Sequence, residues 1–170
     1  MFHSQERAPG AKLLLTIALA GAVALSACGS DNKKDVAKFI GAWSIDSGAL
    51  TASCPPLALP MQPITPGEKL VFSPGTDSDL VIERSGCKIK FDVNGDVATA
   101  QSGQSCAATI PNPVPGSNGA PVAITLGVTK GVFTAKGTMG TFEQSGNATL
   151  PIPVLSGCTY GINALATKMP

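Results

Sequence analysis

Fourteen prolines and nineteen glycines, scattered along 170 residues, limit this fold more than any other feature of the chain. Proline removes a backbone donor and locks φ, and glycine weakens helices. No window of twelve residues keeps a 3.6-residue apolar period, so long helices are excluded. What remains between the breakers is short and alternating. In segment 88–93, Ile89, Phe91 and Val93 alternate with Lys88, Lys90 and Asp92, the pattern of a strand with one wet and one dry face. Asn94-Gly95 follows as a hairpin signal, and 97–101 returns antiparallel. Further strands are expected at 39–46, 50–54, 69–73, 79–84, 122–128, 132–136, 141–144, 148–152 and 159–168. About eight to ten short strands with tight turns imply an all-β domain, an antiparallel barrel or sandwich.

The first 28 residues follow different rules. Arg7 and Lys12 precede an apolar run, 13–25, of 13 residues. That is short of the roughly 20 needed to span a bilayer as a helix and suits the core of a cleaved secretory signal. Leu25-Ser26-Ala27-Cys28 closes the run and resembles the lipobox of bacterial lipoproteins. The resemblance implies that Leu25, Ser26 and Ala27 are read by a signal peptidase. It implies that the Cys28 thiol takes a diacylglyceryl group and that Cys28 becomes the first residue of the mature protein. Two or three acyl chains, at about 0.8 kcal/mol per buried methylene, hold such a protein on a membrane. Gly29, where an Asp would favour the inner membrane in the family, points to the outer membrane of a Gram-negative envelope.

The expected organisation is therefore a signal peptide at 1–27, a lipidated N-terminus and polar tether at 28–38, and one domain at 39–170. In an oxidising compartment, the four cysteines left after Cys28 (Cys54, Cys87, Cys106 and Cys158) are expected to form two disulfides. Three pairings are open. If Asn94-Gly95 is the turn, Cys87 faces Ser102, and Cys106 lies roughly 13 Å further along at strand rise. A disulfide needs Cα atoms within about 7 Å, which disfavours Cys87–Cys106 unless the strand ends early and folds back. Cys54–Cys106 with Cys87–Cys158 is the expected set.

Phe39-Ile40-Gly41-Ala42-Trp43 opens the first strand and resembles the Gly-x-Trp of lipocalins and related calycin barrels. That resemblance implies an eight-stranded cup whose closed end is plugged by Trp43, with a basic residue of the last strand, here Lys168, packed over it. Segment 55–67 carries five prolines beside Leu57, Leu59, Met61 and Ile64. It reads as a lid over the barrel mouth or as an exposed apolar edge, and with Trp43 these residues are the candidate ligand or partner surface. Segment 107–120 reads as a long loop.

Several classes of chemistry are disfavoured. Arg7, Lys12 and Glu6 lie in the leader, leaving ten cationic and ten anionic residues in the mature part. A neutral surface argues against nucleic acid. His3 is the sole histidine and leaves with the signal, so a Ser-His-Asp nucleophile is impossible. Asp92 to Asp96 resembles a calcium loop, but an EF-hand needs glutamate where Gly103 stands. No catalytic residue, metal site or cofactor is expected. The functional expectation is a lipid-anchored envelope protein, either a cup for a small apolar ligand or a protein-interaction module with a filled core.

Overall fold

A computed structural model of the chain describes residues 31–58, 60–84, 87–110, 121–152 and 156–170. Leu25, Ser26, Ala27, Cys28 and Leu59 lie outside the described residues. A helix α1 (Asp31–Phe39) is followed by strands β1 (Gly41–Cys54), β2 (Leu57–Ala58), β3 (Gln62–Pro63), β4 (Lys69–Pro74), β5 (Leu80–Arg84) and β6 (Cys87–Asn94). Then come β7 (Val97–Ala100), β8 (Ser105–Ile110), β9 (Val122–Lys136), β10 (Met139–Thr149) and β11 (Cys158–Lys168).

Eight of these strands close a ring. The order β1-β4-β5-β6-β7-β9-β10-β11 returns to β1, with every neighbour antiparallel and next in line along the chain. This is an up-and-down barrel, consistent with the cup implied by Gly-x-Trp. Closure removes the free edges that make open sheets sticky. Among the described residues, the core and both disulfides fall between Val36 and Lys168.

Long strands replace several pairs of expected short ones. Segments 39–46 and 50–54 merge into β1, 122–128 and 132–136 into β9, and 141–144 and the first two residues of 148–152 into β10. The apparent breaks are bulges. Register shifts fall between Ile45 and Ser47 and at Ser145/Gly146, where polar residues and glycines interrupt the period-2 pattern without ending the strand. The polar stretch expected as a tether is helical at 31–39. Val36 and Phe39, three residues apart, turn one face onto the barrel base, and Phe39 is fully buried. Lys38 in the last turn pairs with Asp35 and with Asp96 of the β6–β7 turn, and the Lys38 ammonium holds the Asp96 carboxyl below its usual range.

The disulfide pairing corrects the expected set: the bonds are Cys54–Cys158 and Cys87–Cys106. The reason lies in the hairpin. Asn94 pairs with Val97, two residues off the expected register, so the turn is Gly95-Asp96. β7 then ends early, at Ala100, and β8 continues beside β9 after a short turn. Cys106 is thereby drawn to a Cα separation of 5.1 Å from Cys87. Gln104 fills the gap in the ladder. Its side-chain amide accepts from the Lys90 N–H at 2.7 Å and donates to the Lys90 carbonyl at 2.9 Å, replacing a strand partner.

Candidate ligand cavity

At one end the barrel is solid. Trp43 on β1 is fully buried, and its indole N–H donates to the Phe39 carbonyl at 2.8 Å. Phe133 on β9 stands at the centre, 4.9 Å from the Trp43 ring and 4.7 Å from Phe72, with Phe39 at 6.2 Å, in edge-on and tilted contacts. Gly140 on β10 makes room for this cluster, since a Cβ there would sit 2.3 Å from the Phe133 ring. Lys168, paired with Trp43 across β11 and β1, lies over the indole at 5.7 Å and donates to the Lys38 carbonyl at 2.6 Å. Gly41 is glycine because its φ of 116° starts β1 in a conformation that side chains rarely adopt. The plug and its basic cover, implied by resemblance, are both in place.

Toward the other end, where β1 finishes and β11 begins, the interior opens into a cavity of about 460 Å³. Small-molecule sites run to roughly 300–1,000 Å³, and this one has room for on the order of 15 waters at about 30 Å³ each. Its floor is Leu70, Ile82 and Phe142, and its walls include Leu50, Ile89, Ile124, Leu126 and Ile162. These positions are the inward phase of the alternating strands, continued past the aromatic layer but filled by smaller side chains. Both disulfides are built into the wall. Cys54, Cys87 and Cys106 face the cavity, and Cys158 ties β11 to the end of β1.

The lining carries no charged side chain among the described residues. Its polar members divide by depth. Gln62, Thr109 and Thr159 are exposed, whereas Gln144 and Tyr160 are both only 7% exposed. The Gln144 amide donates to the Tyr160 hydroxyl at 2.8 Å. Burial pushes the Tyr160 hydroxyl pKa up, against a smaller lowering from Gln144, so the phenol stays neutral at physiological pH.

The residues proposed from sequence as a binding surface are dispersed. Trp43 belongs to the plug. Leu57 enters β2, opposite Cys54. Met61 is exposed, and Ile64 packs inward toward Gly48. The proline-rich segment pairs along β1 through β2 and β3, beyond the point where β4 stops pairing, so it completes a wall and brings Pro60 and Gln62 to the cavity. Gln144 and Tyr160 escaped notice in the sequence. The available signal was phase: Gln144 falls in step with Phe142 on an alternating strand, at a position that should be apolar. The chain matches no protein-family model, no curated protein and no solved structure.

Proposed function

We propose that this chain is a lipid-anchored envelope protein whose barrel binds a small apolar molecule in the open half of its interior. The observation that carries the reading is the uncharged, apolar cavity of about 460 Å³ above a fully packed base. A barrel needing only a core would fill that space, since every unfilled methyl-sized void costs stability. The anchor at Cys28 rests on the lipobox resemblance, and a polar-ended helix between lipid and barrel keeps the cup close to a lipid surface. Nothing about the site nominates catalysis, so the activity proposed is binding and retention.

Two experiments test this. Native mass spectrometry of the protein recovered from its native envelope should show one bound small molecule per chain. Ala52→Trp, which fills the cavity from the β1 wall, should remove it while circular dichroism stays unchanged. A wild-type protein with no adduct and no uptake of an apolar dye would defeat the binding reading. For the anchor, Cys28→Ser should abolish labelled palmitate incorporation and release the protein from membranes. Continued pelleting with the envelope would defeat that part alone.

A further inference from the structure

We propose that the ligand is uncharged and carries one hydrogen-bonding oxygen, a hydroxyl or a carbonyl, which is received by Gln144 and Tyr160. This rests on the apolar-binding reading above and adds a chemical class to it. The cavity wall below the rim is hydrocarbon and sulfur apart from this pair. Because Gln144 donates to the Tyr160 oxygen at 2.8 Å, the phenol proton remains available to a third group, and Gln144 keeps an acceptor oxygen and a second amide proton. The pair can therefore donate to a carbonyl or exchange hydrogen bonds with an alcohol. Fold stability does not require it, since a typical intramolecular hydrogen bond contributes only about 0.5–1.5 kcal/mol net and two apolar groups of similar shape would serve as well.

Charge is handled differently. A carboxylate or ammonium entering this wall would find no counter-ion among the described lining residues, and burying an unpaired charge is far costlier than burying a hydroxyl. Tyr160, held neutral by its burial, does not supply a charge of its own. A ligand with an ionised head would have to leave that head in solvent, where the buried pair gives it no advantage.

The test is competition for the uncharged dye Prodan bound to segment 31–170, using dodecane, dodecanol, methyl laurate and laurate at neutral pH. Dodecanol and methyl laurate should bind roughly tenfold more tightly than dodecane and laurate, the worth of about one hydrogen bond. Tyr160→Phe and Gln144→Leu should each erase that advantage and leave dodecane unaffected. Dodecane or laurate matching dodecanol in the wild-type protein overturns the proposal without any variant. An advantage that survives both substitutions overturns it too. If neither dye nor any competitor binds, the cavity reading itself has failed, a result distinct from equal binding by all four.

Discussion

The two halves of this barrel are built from the same alternating strands but are held together differently. In the closed half, Trp43, Phe39, Phe72, Phe91 and Phe133 fill the interior, and α1 covers the base. In the open half, the inward positions are Leu, Ile, Ala and Cys with the Gln144–Tyr160 pair around the cavity, and the two disulfides sit there. A packed core stabilises through burial and dispersion. A hollow one forgoes that contribution, and covalent cross-links that restrict the unfolded chain can take its place. The difference teaches that a barrel can keep a cavity open when its base is packed solid and its open end is stapled.

The largest expected effect tests the staples. Removing Cys54–Cys158 as a double alanine variant releases a closure spanning 104 residues, and removing Cys87–Cys106 releases one spanning 19. The chain-entropy relation gives roughly 4–5 kcal/mol for the first and about 3 kcal/mol for the second. Denaturant unfolding should show this order, and hydrogen exchange should rise at the open ends of β1 and β11 before the base responds. Negligible loss from both variants would remove the staple half of the contrast. Next comes the base: Phe133→Ala should cost about 3–5 kcal/mol, because it empties the centre of the aromatic cluster.

Added volume sharpens the same contrast at a smaller scale. Gly140→Ala drives a methyl into Phe133 and Trp43 and should cost roughly 1–3 kcal/mol. Ala52→Leu adds more atoms but points into the cavity, so it should stay within about 1 kcal/mol of the wild type. Equal penalties would mean that both halves are equally full. The smallest effect is a pH slope. Burial raises the Tyr160 pKa above its unfolded value of 10.0, so the folded state holds this proton more firmly. The contribution is complete below pH 10 and is lost as pH rises through the folded value. Stability should therefore decline more steeply above about pH 10 in the wild type than in Tyr160→Phe.

Much of the closed half was legible from residues alone, because its signals are local. The alternation of 88–93 gave β6, and Gly41-Ala42-Trp43 with Lys168 gave the plug through its resemblance to calycin barrels. The open half depends on features that single residues do not announce. The disulfide pairing turned on a two-residue change of hairpin register and on Gln104 standing in for a strand partner, both set by tertiary pairing. Bulges at polar and glycine positions made long strands look like pairs of short ones. The helix 31–39 is too short and too polar to show periodicity, and it is fixed by Phe39 and Val36 reaching the base. Empty space leaves no mark in a sequence beyond side chains smaller than expected at inward positions.

Methyl NMR on segment 31–170, before and after saturation with dodecanol, tests the division between the halves most directly. The account predicts shifts at Ile124, Leu126 and Ile162, which line the cavity, and none at Ile45 or Leu80, which lie in the packed base. Shifts spread evenly over both sets, or confined to Ile45 and Leu80, would contradict a barrel that is hollow above and solid below.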